Sequence, residues 1–125
     1  MQDFTQLKIW QKAHNFTVNL YKITATFLDE EKYGLTNQIR RASVSIESNI
    51  AQGRGRGGDK EFSRFLNISL GSAYEVKCQI YLARDLEYLN TDKSDILLEK
   101  IDEISRMINS FNQKLKGSTE LTVYH

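Results

Sequence analysis

No proline interrupts the 125 residues, and apolar side chains recur along them at helical spacing. Proline normally punctuates loops and helix ends, because it lacks an N–H and its ring clashes with the preceding turn. A chain without it can run long uninterrupted helices, and the 3.6-residue period shows where they lie. Ile9, Ala13, Phe16, Leu20, Ile23 and Phe27 make one stripe of a first helix over residues 5–28. A second stripe beside it, Leu7, Trp10, His14, Thr17, Tyr21, Thr24 and Leu28, is wider than a surface helix needs and predicts contact with a second partner.

The polar run Asp29–Gly34 reads as a turn. Beyond it Leu35, Ile39, Ala42, Ile46 and Ile50 carry a second helix over 33–53, with small Ala42, Ser43, Ser45 and Ala51 permitting close helix approach. Gly53, Gly55, Gly57 and Gly58 then break the helix, so GRGRGG is predicted to be a loop. Asp59 is suited to cap the next helix, over 59–89, whose inner stripe is Phe62, Phe65, Ser69, Ala73, Val76, Ile80, Ala83, Leu86 and Leu89. Asn90 ends it. A heptad seam, Leu97, Ile101, Ile104, Ile108, Phe111 and Leu115, defines a fourth helix over 94–116, and the tail 117–125 has no helical pattern. Four amphipathic helices with short connections predict a single all-α domain over 1–125, an antiparallel up-down four-helix bundle.

Several kinds of chemistry find little support. No apolar run approaches the roughly 20 residues needed to span a bilayer. The opening MQDFTQLKIWQK has no basic stretch followed by an apolar block, so a cytoplasmic protein is expected. His14 and His125 are the two histidines, with no HxxxH or ExxH spacing, so no metal site and no cofactor are expected. Cys78 is the one cysteine, without a histidine neighbour and in an apolar helix, and reads as a small buried hydrophobe. The glycine-rich loop follows a helix rather than a strand and lacks the terminal Lys-Ser/Thr of a nucleotide-binding loop.

Charge is unevenly placed although the net charge is +1. Arg40, Arg41, Arg54 and Arg56 face Glu47 alone between residues 40 and 56, whereas residues 85–103 carry seven acids against Lys93 and Lys100. A dipolar molecule with one basic end or face follows. Arg40 and Arg41, about 100° apart on a helix, cannot both point into the core, so one faces solvent. Arg54 and Arg56 alternate with glycines that let backbone approach a phosphate, and Lys60 and Arg64 extend the positive charge into the third helix. These six residues are candidates for an anion-binding rim. The competing interpretation is a solvated loop plus an internal ion pair of Arg41 with Glu61 or Glu75. Asn49, Gln52 and Ser48 are expected to satisfy backbone groups at the helix end. Tyr74, Tyr81 and Tyr88 recur every seven residues, with Cys78 between the first two, and predict a subunit interface in a homo-oligomer. A base-stacking surface is disfavoured because Glu75, Asp85 and Glu87 would repel phosphates.

The blocks LKIWQKA, EKYGLTNQIRRASVSIESNIAQGRGR and EFSRFLNISLGSAYEVKCQIYLARDLEYL, in that order and over nearly the whole chain, resemble the four-helix-bundle proteins encoded in intervening sequences of bacterial 23S rRNA genes, the S23 ribosomal protein family. The resemblance implies an up-down bundle assembled as a ring, typically a homopentamer, without known catalytic activity. It also implies kinship with the accessory variability proteins of diversity-generating retroelements, basic pentameric barrels that bind nucleic acid and the reverse transcriptase. Arg40, Arg41, Asn49, Gly53, Arg56, Glu61, Phe62, Gly71 and Glu75 match the family's signature positions. The chain departs from the pattern at Leu28 and Glu47, where proline is common, and at Gln52, where glutamate is usual, so the second helix should be less kinked. The expectation is a non-enzymatic, homo-oligomeric scaffold that offers an arginine-rich surface to RNA, DNA or a protein such as a reverse transcriptase. The alternative is a purely structural protein-protein interaction module whose arginines stabilise the bundle or ring.

Overall fold

Amphipathic helices joined by short connections must fold back on one another to bury their apolar stripes. The computed structural model of the chain describes residues 3–27 and 30–124, with 30–32 and 118–124 as backbone only. A 3-10 turn, Phe4–Gln6, leads into α1 (Lys8–Thr24), α2 (Glu30–Gly55), α3 (Asp59–Asp85) and α4 (Thr91–Tyr124). No strand occurs among the described residues. Two contacts at each seam, running in opposite directions along the two helices, show the antiparallel order: Thr17 with Ser43 and His14 with Glu47, Ser45 with Ser72 and Gly53 with Phe65, Ser63 with Asn112 and Lys77 with Asp102. The all-α four-helix bundle expected from periodicity is the fold observed.

The predicted stripes converge on one core. Ile9, Phe16 and Leu20 of α1, Ile39, Ile46 and Ile50 of α2, Leu66, Val76 and Ile80 of α3, and Leu97, Ile101 and Ile108 of α4 are all buried together. The second stripe of α1 packs on α2: Thr17 Oγ1 lies 2.7 Å from Ser43 Oγ, and His14 Nδ1 lies 2.8 Å from Glu47 Oε2. His14 is therefore a partly buried polar group, stacked on Trp10 with ring centroids 4.7 Å apart. Glu47, where a proline was the expectation for the family, sits in a continuous α2.

Helix ends differ from the predicted ones for local reasons. Residues 25–27 leave the α1 ladder in shorter i→i+3 bonds, Thr26 N–H to Ile23 O and Phe27 N–H to Thr24 O. The predicted turn at 29–34 is largely helix, since α2 begins at Glu30; Leu28, Asp29 and His125 lie outside the described residues. Gly53 does not end α2. It lies inside the helix, where a Cβ would stand 2.7 Å from Phe65 Cβ, so its role is close approach of α2 to α3. The reversal is made by Gly57 and Gly58, at φ of 73° and 101°, which side-chain-bearing residues adopt only at a cost. Gly58 holds the N-cap position of α3, and Asp59 is one residue inside, where its charge favours the helix dipole without capping.

At its other end α3 stops at Asp85, four residues before the predicted boundary. The Tyr88 N–H reaches Ala83 O at 2.8 Å and the Glu87 N–H reaches Arg84 O at 2.9 Å. This is a Schellman motif with Glu87, at φ 64°, in the left-handed position usually given to glycine. Leu86, expected in the core, is consequently exposed. Asn90 starts α4 rather than only ending α3, because its Oδ1 accepts the Lys93 N–H at 2.8 Å. The irregular tail expected after residue 116 is instead helical, as α4 runs to Tyr124.

A buried asparagine and a partly exposed ion pair link α3 to α4. Asn112, 1% exposed in the middle of the seam, accepts from Ser63 Oγ at 2.5 Å and donates to Asn67 Oδ1 at 2.9 Å. On the outer side Lys77 Nζ lies 2.8 Å from Asp102 Oδ1, and that hydrogen bond holds the ammonium above its ordinary pKa of 10.5.

Candidate nucleic-acid interface

Antiparallel topology brings the start of α1, the end of α2, the start of α3 and the end of α4 to one pole of the bundle. Lys8, Arg54, Arg56, Lys60, Arg64, Lys114 and Lys116 lie there, against Asp3, Asp59 and Glu61, among the described side chains. The opposite pole, where α1 ends and α3 turns into α4, exposes Asp85, Glu87, Asp92 and Asp95 beside Lys22, Arg84 and Lys93, and Arg40 reaches the end of α1 there. Among the described side chains one pole is thus basic and the other close to balanced, and the basic stretch read from residue 40 to residue 56 is divided between them.

At the α2–α3 corner the arginines are organised around one ring. Phe65 is buried, and the guanidinium carbons of Arg56 and Arg64 lie 5.4 Å and 4.6 Å from its centroid. Each such contact stabilises by about 0.5–1 kcal/mol at an exposed site and lays the arginine flat on the surface. Arg64 also pairs with Glu61 at 3.2 Å, which offsets part of its charge. Arg56 and Lys60 are exposed, and Arg54 is half-buried and engaged in interactions of its own.

The twin arginines are not part of this corner. Arg41 and Arg54 are thirteen residues apart on one helix, about 20 Å along its axis. Of the pair, Arg40 turns to α1: its Nε donates to Thr24 Oγ1 at 2.8 Å, its Nη2 to Tyr21 O at 3.1 Å, and its head covers the Tyr21 ring at 4.4 Å. Arg40 therefore ties α2 to the end of α1, as an added donor to the Tyr21 carbonyl that also accepts the Ala25 N–H at 3.0 Å. Arg41 is the exposed member and lines a cleft of about 280 Å³ with Gln38, Ser45, Ser72 and Glu75. Glu61, one of the two partners proposed for Arg41, pairs with Arg64 instead. Asn49, expected to cap the helix end, bonds inward to Ser45 O at 2.8 Å.

The tyrosine stripe is divided. Tyr74 is 60% exposed and Tyr81 39%, on the outer face of α3. Cys78 is exposed between them, not buried: core positions Val76 and Ile80 flank it, and a residue two away from a core position points to the far side of a helix. Ile68 and Leu82 continue the exposed apolar face. Tyr88 is beyond the end of α3, half-buried, with its ring 6.0 Å from Phe27. Periodicity could not separate it from the other two, because the helix stops before the period is completed.

A set of residues that sequence reasoning missed lies along the seam between α1 and α4. Lys8, Ile9, Arg106, Met107, Ser110, Phe111 and Lys114 line a groove of about 380 Å³ at the basic pole. Next to it Lys12 Nζ bridges the same two helices to Glu103 Oε1 at 3.2 Å. Among the described residues no group of three His, Cys, Asp or Glu side chains could hold a metal ion, and no helix is long and apolar enough to cross a membrane.

The model of a family described as 23S rRNA-intervening sequence protein matches residues 5–110. A crystal structure of a protein with unknown function from the S23 ribosomal protein family of Bacteroides thetaiotaomicron superposes with a TM-score of 0.78 at 24% sequence identity, covering 83% of this chain and 97% of that one. At this identity the likeness speaks for the fold alone. No curated protein matches the chain.

Proposed function

Since the chain belongs to the 23S rRNA-intervening sequence protein family, we propose that it is a non-enzymatic scaffold whose basic pole binds nucleic acid, RNA in the first instance. The observation that carries this reading is the gathering of seven cationic side chains from four helix ends against three acids. Cations held on rigid helix ends bind phosphates with little further ordering, and counter-ion release then supplies the affinity. The exposed Arg56 and Lys60 are the leading contacts. Arg64 contributes less, being paired with Glu61, and Arg40 is assigned to the fold rather than to the ligand.

The scaffold is proposed to be a homo-oligomer through the outer face of α3, where Ile68, Tyr74, Cys78, Tyr81 and Leu82 are exposed together. Such a face joins aromatic and apolar side chains, the composition of an interface core, to the charges of Glu75, Arg84 and Asp85 at its rim. Repetition around a ring multiplies the basic pole, which compensates for the small charge of one copy.

One titration with sizing tests both parts. Light scattering of the wild type is expected to give a multiple of the chain mass, and a gel shift with single-stranded RNA is expected to weaken steeply with salt. Arg56→Ala with Lys60→Ala should lower affinity about tenfold and flatten the salt slope by about 1 to 2. RNA binding that is absent, or that is insensitive to salt and to both substitutions, would sink the nucleic-acid reading. Arg40's bonds to Thr24 and Tyr21 support the second reading, a structural protein-protein interaction module whose arginines serve the bundle. In that case the substitutions at Arg56 and Lys60 lower thermal stability or dissociate the oligomer and leave no RNA effect to explain.

A further inference from the structure

The geometry points to the α1–α4 groove as the seat of one nucleotide unit of a single-stranded RNA, with phosphate oxygens on Lys8, Arg106 and Lys114 and the base over Ile9, Met107 and Phe111. This inference rests on the proposed nucleic-acid function and adds to the contacts at the arginine corner a seat for one nucleotide at the neighbouring seam.

Three features of the lining support it. Lys8 stands on the α1 wall, Arg106 and Lys114 on the α4 wall, all three are exposed, and among the described residues no carboxylate lines the groove. The nearest acid along the seam, Glu103, is engaged by Lys12 at 3.2 Å. An anion entering here meets cations from both sides and no opposing charge. The floor is apolar: Ile9 is buried, and Met107 and Phe111 are half-buried beneath the cations. Phosphate-binding cations around an apolar platform are the pattern by which single strands are held without sequence preference. The volume, about 380 Å³, falls within the range of about 300–1,000 Å³ typical of small-ligand sites.

The hydrogen-bonding inventory selects the occupant. Lysine and arginine only donate, so among the described residues the Ser110 hydroxyl is the one strong side-chain acceptor in the lining. A nucleic-acid backbone consists of acceptors, phosphate and sugar oxygens, which suits such a wall. An acidic peptide would bring backbone N–H groups that find no acceptor there. The ribose 2′-OH both donates and accepts, and Ser110 can answer it in either sense.

Binding of a fluorescent oligouridylate to the full-length protein, by anisotropy at two salt concentrations, tests the assignment. Lys8→Ala with Lys114→Ala is expected to weaken binding at least tenfold with helicity unchanged, and Lys8→Arg with Lys114→Arg to restore it. Ser110→Tyr, which fills the groove and keeps every charge, is expected to weaken binding as well. If the charge deletions act but Ser110→Tyr does not, the cations work as a diffuse field and the groove is not a seat. If these variants bind like wild type while Arg56→Ala with Lys60→Ala does not, the groove assignment falls and the nucleic-acid function stands. If wild type binds no oligouridylate, both fall. Displacement of the oligonucleotide by polyglutamate of equal charge at equal concentration would overturn the assignment in favour of an acidic protein segment.

Discussion

Single residues explain why this bundle is tight where it is tight. Gly53 touches α3 so closely that a methyl group would overlap the Phe65 Cβ at 2.7 Å, with Phe62 Cδ1 at 3.0 Å as a second obstacle. Gly53→Ala is therefore expected to destabilise by about 1–3 kcal/mol, read by chemical denaturation, although alanine favours helix over glycine by about 1 kcal/mol. No loss of stability would mean that the α2–α3 corner yields freely. The presence of a glycine was plain in the sequence, but not its purpose, since in GRGRGG it is indistinguishable from a loop residue. Arg40 and Arg41 show the same limit. Adjacency on a helix required one to face outward, yet the choice depends on Thr24 and the carbonyl of Tyr21 at the end of another helix.

At the scale of elements, the apolar period located four helices, while their ends were decided by backbone bonding that periodicity does not encode. α3 illustrates both. Its core stripe from Phe62 to Ala83 was legible, but Leu86 and Leu89 of that stripe, and Tyr88 of the tyrosine stripe, lie past the point where the Schellman bonds terminate the helix. Glu87 occupies the left-handed position at φ 64°. A side chain there costs about 1–2 kcal/mol relative to glycine, partly offset by the greater freedom glycine has when unfolded. Glu87→Gly should thus raise stability by roughly 0.5–1 kcal/mol, measured as a shift in denaturation midpoint at constant slope. A neutral or destabilising result would assign the Glu87 carboxylate a compensating role. The buried Asn112 was equally hidden: it interrupts a heptad whose neighbours, Ile108 and Phe111, made the seam look wholly apolar.

Across the whole molecule, antiparallel helices sort their ends alternately, which gathers Arg54, Arg56, Lys60 and Arg64 with Lys8, Lys114 and Lys116 at one pole. A basic end could be anticipated from charge counts, but not its membership, since Arg40 belongs to the end of α1 at the other pole. The α1–α4 groove could not, because its two walls come from opposite ends of the chain and only closure of the bundle brings them together. Packing is uneven as well: α2 and α3 share the most extensive contact, and α1 meets α4 along the slightest of the consecutive seams. Amide hydrogen exchange should accordingly run in a set order, with α1 exchanging before α2 and α3, as weakly packed segments open below the global unfolding free energy. Uniform exchange across all four helices would contradict this. A seam that breathes is also one that a ligand can still. Anything lodged between Lys8 and Lys114 would bind by removing a motion as much as by forming contacts, and its imprint would be slower exchange along α1, on residues it never touches.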